Sequence, residues 1–144
     1  MIYTSYFGKL RKLPKNVIPV AICATVPSWY TGARYIKLAP DYDILMQWKC
    51  DHNNDDYVER FNSVVLGSLD VVRTVHELHM LLPEEAKIQM QRPVWDSPDW
   101  HIVLLCYEKP DDFCHRHIIA DWLKRSGFRC EEWSDQYASE TSEK

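Results

Sequence analysis

The stretch that decides the fold is WHIVLLCYEKPDDFCHRHIIADW, residues 100–122. Its apolar run IVLLC, residues 102–106, predicts a strand that is buried on both faces. Asp111 or Asp112 is placed to cap the helix that follows, which we expect to end near Ser126. A turn from a strand into a helix presents backbone N–H groups and the positive end of the helix dipole. The sequence therefore predicts a ligand site at this turn.

The composition is that of one globular domain. The chain has 144 residues, of which 46% are hydrophobic and 26% charged, so it can form a core. Its net charge of −4 excludes the basic excess that nonspecific nucleic-acid binding needs. Four basic residues do fall together in a predicted solvated loop, namely Lys9, Arg11, Lys12 and Lys15.

The cysteines and the apolar runs bear on the location of the protein. The opening segment MIYTSYFGKL lacks the apolar run of a secretion signal, and no stretch reaches the roughly 18 apolar residues of a membrane span. The cysteine count is odd, since the chain has Cys23, Cys50, Cys106, Cys114 and Cys130. We therefore expect free thiols, a cytoplasmic location and no membrane partner.

The rest of the chain predicts strands near both ends and helices between them. Strands are expected at 2–6, 17–24, 102–106 and 128–133, and helices at 41–49, about 55–66, 69–82 and 112–126. Asp55 or Asp56 and Ser68 are the predicted caps of the second and third helices, and Gly127 is the expected residue just past the last one. Residues 25–40 read as a long structured loop.

This order of elements predicts the fold class. We expect a single α/β domain over residues 1–133, three-layered and Rossmann-like, with a small, mostly parallel sheet and a polar tail at 134–144. Ligands of such sheets bind beyond the carboxyl ends of the strands. Cys106 and Ala24 each end a predicted strand, so one pocket could lie between them.

The residues near these strand ends indicate the kind of ligand. Aromatic rings and cations in the loop at 25–40 would clamp a flat anion, which suits a nucleotide-like, phosphate-bearing molecule. The candidate ligand-binding residues are Arg116, His115, Cys114, Glu108, Cys106, Thr4, Ser5, Tyr6, Tyr30, Arg34, Tyr35 and Lys37.

Arg116 is the most informative of these candidates. It falls in the first turn of the predicted helix, where a cation opposes the helix dipole. An anionic ligand held by its guanidinium would remove that conflict. The alternatives are a solvated side chain or a pairing with Asp111, Asp112 or Glu108.

Cys106, Cys114 and His115 offer the donor atoms of a zinc site. The two cysteines are not spaced as C-x2-C, and a fourth ligand would have to be chosen arbitrarily from His117, Glu108 or Cys23. Cys106 could instead pack as a small apolar group at the end of its strand. We therefore expect no bound metal and no cofactor.

Cys114 could also act as a nucleophile, because a helix N-terminus lowers the pKa of a thiol. His115 and Glu108 could instead form an acid–base pair, although Glu108 could equally pair with Lys109 or Arg116. The C-x5-R pattern of the protein-tyrosine-phosphatase mechanism is absent, which argues against that chemistry.

The segment LLCYEKPDDFCHRHIIADWL resembles the signature of the bacterial and phage family known as domain of unknown function 488. The segments IYTSYFGKL and WYTGARYIKLAP resemble its short-form members. The resemblance implies a compact three-layer α/β fold and no settled activity. Residues 83–99 depart from it by looking longer and more irregular than expected. The matching positions are Thr4, Tyr35, Lys37, Cys106, Glu108, Cys114, His115 and Arg116.

Three functions follow as hypotheses. The first is a binding protein for a nucleotide-like ligand, with a sensing or sequestering role and no chemistry. The second is a hydrolase or transferase acting on a nucleotide or nucleic acid through Cys114, or through His115 and Glu108. The third is a metal-stabilised interaction scaffold. The sequence leaves a nucleic-acid partner and a homo-oligomer open.

Overall fold

A computed structural model describes residues 1–84, 86, 100–109 and 112–135. It contains one five-stranded sheet in which every pairing between neighbouring strands is parallel. The strands are β1 (Ile2–Tyr6), β2 (Val17–Ala21), β3 (Ala33–Arg34), β4 (His101–Cys106) and β5 (Cys130–Glu132), in the spatial order β3-β2-β4-β1-β5. The predicted single α/β domain with a parallel sheet is therefore confirmed.

Four α-helices accompany this sheet in the described part of the chain, and none of them could span a bilayer. They are α1 (Tyr42–Asp51), α2 (Asn54–Arg60), α3 (Val71–His79) and α4 (His115–Arg125). Helix α2 continues directly into a π-helical turn, Phe61–Val65, and then into a 3₁₀ turn, Leu66–Ser68.

The capping residues differ from the prediction by two or three positions. Asn53, not Asp55 or Asp56, caps α2, and its side chain accepts a hydrogen bond from the backbone N–H of Asp56 (3.1 Å). Asp70, not Ser68, caps α3. A cap must lie just outside the helix with extended backbone, whereas an acid inside the first turn only complements the helix dipole.

The two ends of α4 differ from each other. Cys114 is the N-cap residue and its side chain makes no capping hydrogen bond, so the predicted cap Asp112 does not serve as one. The other predicted cap, Asp111, lies outside the described residues. At the far end Gly127 has a φ of +93°, and its N–H donates to the carbonyl of Lys124, as predicted for a residue just past a helix.

The sheet is the middle of three layers because alternate residues of each strand point to opposite faces. Ile2, Ile102 and Leu104 belong to the cluster that all four α-helices pack on. Tyr3, Val103 and Leu105 belong to the other cluster, which the 3₁₀ segment Phe7–Lys12 and loop residues such as Tyr30 and Trp133 cover. β4 is buried along its whole length because it lies at the centre of the sheet.

Pro19 explains the shape of one edge of the sheet. It lies inside β2, which is flanked by β4 and β3, although proline cannot donate a hydrogen bond. β3 pairs only with Val20 and Ala21, so it does not extend to Pro19. The hydroxyl of Tyr30 donates to the carbonyls of Pro19 (3.3 Å) and Ala33 (2.6 Å), and so joins the two strands where the ladder is missing.

Two predicted segments fall mostly outside the described residues. The irregular segment at 83–99 is described only at Pro83, Glu84 and Ala86, and the polar tail at 134–144 only at Ser134 and Asp135.

Replacing Tyr30 with Phe should lower the free energy of unfolding by about 1–3 kcal/mol, because two part-buried carbonyls lose their donor. Tyr42→Phe is the matched control, since Tyr42 is 74% exposed, and it should stay within about 0.5 kcal/mol of the wild type. Urea denaturation measures both. Equal stabilities of the two variants would show that the Tyr30 hydroxyl does not join β2 to β3.

Candidate functional site

A cavity of about 200 Å³ lies at the carboxyl ends of β2 and β4. The two strand ends that we expected to share a pocket do border one space, since Cys23 and Ala24 follow β2 and Tyr107 and Glu108 follow β4. The full lining is Cys23, Ala24, Thr25, Pro40, Leu45, Trp48, Lys49, Tyr57, Tyr107, Glu108, Phe113, Cys114 and His115.

One side of this cavity is an aromatic wall, which we define as Trp48, Tyr57 and Phe113. The rings of Trp48 and Phe113 are stacked, with centroids 5.7 Å apart and planes 23° apart. Tyr57 meets Phe113 edge to face at 5.1 Å. Sequence reasoning missed this wall because α1 and α2 supply two of its three rings. The orientation of those helices against the sheet depends on contacts far apart in sequence.

The lining also includes a polar group, Glu108, Cys114 and His115, of which His115 is buried. Its Nε2 lies 2.7 Å from the carbonyl oxygen of Ile22. A carbonyl only accepts hydrogen bonds, so Nε2 carries the proton. Burial, helped by the nearby charge of Arg116, lowers the pKa of His115 to about 4. The ring is therefore neutral at pH 7, and its Nδ1 lone pair lies 3.8 Å from Cys114 Sγ.

Cys106 and Cys114 form a disulfide. This finding corrects the expectation that all five thiols are free. The turn between β4 and α4 folds back so that the strand end and the helix start face each other, which the spacing of eight residues did not reveal. The other three cysteines, Cys23, Cys50 and Cys130, are free. Burial raises the pKa of the Cys23 and Cys130 thiols to about 12.

Arg116 is fully buried and is held by protein acceptors. Its Nε and Nη2 donate to the two carboxylate oxygens of Glu132 at 3.1 and 3.0 Å. Its Nη1 donates to Cys106 Sγ at 2.9 Å and to the backbone carbonyl of Glu108. Thr4 donates to the same Glu132 carboxylate at 2.7 Å. We call Arg116, Glu132 and Thr4 the arginine cluster.

This cluster changes the interpretation of Arg116. Glu132 of β5, a residue that sequence reasoning did not single out, offsets the conflict with the helix dipole. The conflict with the helix dipole therefore requires neither a ligand nor the side chain of Asp111, Asp112 or Glu108 to offset it. Four of the five N–H donors of the guanidinium already have protein acceptors. The dipole conflict therefore no longer argues for an anionic ligand on Arg116.

The predicted ligand-binding residues separate into two groups. Glu108, Cys114 and His115 line the cavity, and Cys106 is bonded to Cys114 behind them. The others, which include the aromatic rings and cations predicted in loop 25–40, are not among its lining residues. These are Thr4, Ser5, Tyr6, Tyr30, Arg34, Tyr35, Lys37 and Arg116.

The side chains of that loop have partners elsewhere. Tyr35 donates to Glu77 of α3 (2.5 Å), and Lys37 forms an ion pair with the same carboxylate (3.2 Å). Arg34 donates to the carbonyl of Ala24 (2.9 Å). These contacts hold the loop against the domain. The loop therefore contributes only Thr25 and Pro40 to the cavity lining, and none of its predicted ring or cation contacts.

Comparison with protein families identifies the chain. The family model described as the active DUF488-N3 subclade matches residues 7–127. The chain belongs to the DUF488 family. The matched residues include the β4–α4 turn and the aromatic wall. The resemblance of particular segments to short-form members stays a prediction. No curated protein and no solved structure matches this DUF488 chain.

Removing the Glu132 carboxylate should be costly, because it leaves a fully buried guanidinium without its counter-ion. We expect Glu132→Ala to lower the free energy of unfolding by about 3–5 kcal/mol. Asp121→Ala is the matched control. It breaks an exposed ion pair with Arg125, which should contribute less than about 1 kcal/mol. Similar losses from the two substitutions in urea denaturation would contradict this account of the arginine cluster.

Thiol counting tests the disulfide. In metal-free protein prepared without reductant, Cys50 should react rapidly with a thiol reagent, because it is exposed. Cys23 and Cys130 should react only after unfolding, since both are buried and have a raised pKa. Cys106 and Cys114 should need a reductant as well. Reaction of either one in unfolded, unreduced protein would contradict the disulfide.

Proposed function

We propose that this DUF488 protein binds a nucleotide-like, phosphate-bearing small molecule in the cavity at the carboxyl ends of β2 and β4. The observation that carries the proposal is that the aromatic wall of Trp48, Tyr57 and Phe113 and the polar group of Glu108, Cys114 and His115 line the same cavity. Aromatic faces stack on planar bases, and a few polar groups orient the base through its edges. A cavity of about 200 Å³ suits a base, with the sugar and phosphate outside it.

The phosphate would be held by Lys49 and the N-terminal backbone of α4. Lys49 lines the cavity on the side of α1, and its exposed side chain can extend towards a phosphate beyond the base. The start of α4 borders the same cavity through Cys114 and His115, and helix N-terminal N–H groups favour anions. The proposed phosphate contacts are therefore Lys49 and the start of α4. They replace Arg116, which is paired inside the protein.

We propose that the protein senses or sequesters this ligand in the bacterial or phage cytoplasm, where nucleotides are available. Binding needs no chemical step.

Calorimetry of the reduced protein against ATP, GTP, AMP and NAD tests the proposal. Trp48→Leu should weaken binding by about 5- to 150-fold, the range that corresponds to one base–aromatic stack of about 1–3 kcal/mol. Trp29→Leu is the matched control, since Trp29 is 58% exposed and lies outside the cavity lining. Lys49→Met should weaken binding of ATP more than binding of adenosine, and the exposed Lys124→Met should change neither. If none of these nucleotides binds, the proposal fails.

An enzyme acting on a nucleotide or nucleic acid is the second candidate. It is favoured by the neutral His115, whose Nδ1 lone pair faces Cys114 Sγ and could accept the thiol proton. The matching subclade is also described as active. Chromatography after incubation of reduced protein with each nucleotide separates the two functions. Ligand recovered intact supports binding alone, whereas product that disappears in Cys114→Ser supports catalysis.

A further inference from the structure

We propose that Cys106, Cys114 and His115 bind one zinc ion when the two thiols are reduced, with an open coordination position on the cavity side. The donor atoms Cys106 Sγ, Cys114 Sγ and His115 Nδ1 or Nε2 lie within 4.8 Å of one another, and all three residues are buried. Two thiolates and an imidazole are the donors that zinc prefers. The proposal is independent of whether the cavity binds a nucleotide.

The spacing of the two cysteines suits a shared metal ion. Their Cα atoms are 7.6 Å apart, whereas disulfides usually span about 4.4–6.8 Å. Zinc–sulfur bonds of about 2.3 Å at a tetrahedral angle keep two sulfur atoms further apart than a covalent bond does. A metal ion between the sulfur atoms therefore matches the distance between the end of β4 and the start of α4.

His115 is already oriented as a metal ligand. Its Nε2–H donates to the carbonyl of Ile22, which leaves the lone pair on Nδ1, next to Cys114 Sγ. A hydrogen bond from the non-ligating nitrogen to a backbone carbonyl is the usual support of a metal-bound histidine.

Arg116 contacts Cys106, one of the two proposed cysteine ligands, without being a zinc ligand itself. Its Nη1 donates to Cys106 Sγ at 2.9 Å, so the guanidinium lies against a sulfur atom that would ligate zinc. Glu132 holds the guanidinium in place. Arg116 therefore acts as a positioning residue for the Cys106 sulfur.

The donor count points to an open site. Among the described residues, no other histidine, cysteine or carboxylate joins these three as a fourth ligand. Cys114 and His115 line the cavity, so the fourth position of a tetrahedral zinc ion would be accessible from it. Zinc sites with three protein ligands hold a water molecule or a substrate in the fourth position, whereas structural sites are closed by four.

The disulfide and the zinc site are alternative states of the same sulfur atoms. A phosphine reductant breaks the S–S bond by taking up an oxygen atom from water, and the two electrons and two protons yield two thiols. Zinc then replaces the two thiol protons. Metal binding should therefore be absent from the oxidised protein and appear on reduction.

Titration of cobalt(II) into reduced, metal-free protein tests the site. We expect one equivalent to bind, with thiolate-to-cobalt charge-transfer absorption and the visible bands of tetrahedral cobalt, and zinc should displace it. Cys106→Ser, Cys114→Ser and His115→Ala should each weaken binding by at least about tenfold. Cys50→Ser is the matched control and should leave the affinity unchanged, because Cys50 is exposed and lies outside the group of three.

The proposal fails if reduced protein shows no charge-transfer absorption, or if that absorption persists at full strength in Cys106→Ser. Should a variant not fold, X-ray absorption at the zinc edge of the reduced wild type decides the question. Two sulfur donors, one imidazole nitrogen and one further oxygen or nitrogen donor support the site. A different number of sulfur donors, or the absence of imidazole, overturns it. Nucleotide calorimetry in the presence of a chelator measures the proposed ligand binding separately, so the two failures are distinguishable.

Discussion

The pairing of buried Arg116 with Glu132 is the constraint on which the rest of the site depends. A guanidinium without solvent contact is tolerable only where acceptors surround it, because the free-energy cost of an unpaired buried charge is large. Its acceptors come from β5, from Cys106 at the end of β4 and from the backbone of Glu108. Meeting that requirement fixes the start of α4 against β5, the end of β4 and the residues that follow β4, and with it the position of Cys114 and His115.

The cavity beside this cluster combines two kinds of surface. Stacked aromatic rings form one wall, and a neutral histidine, a sulfur atom and a carboxylate form the other. Burial explains the properties of the polar group, since it lowers the pKa of His115 and limits the contact of Cys114 with water. Membership of the DUF488 family establishes no ligand and no reaction, so the proposed nucleotide and zinc sites are argued from this wall and its neighbours.

Local sequence signals identified many of the elements. The run from Ile102 to Cys106 is a strand because it is uniformly apolar, and Gly127 follows α4 because glycine readily adopts a positive φ. Arg116 opposes the helix dipole at the start of α4, as its position in the sequence predicted. Its counter-charge could not be identified locally, because Glu132 is sixteen residues away along the chain and meets Arg116 only through the sheet.

The sequence by itself determined the fold class, the β4–turn–α4 unit and three residues of the cavity, because periodicity, caps and helix breakers act over a few neighbouring positions. Only the tertiary structure decided which distant side chains meet. It directed Tyr35 and Lys37 towards Glu77, placed Trp48 and Tyr57 in the cavity and joined Cys106 to Cys114. The physical reason is that these contacts depend on how helices and loops dock onto the sheet, which no local pattern of residues specifies.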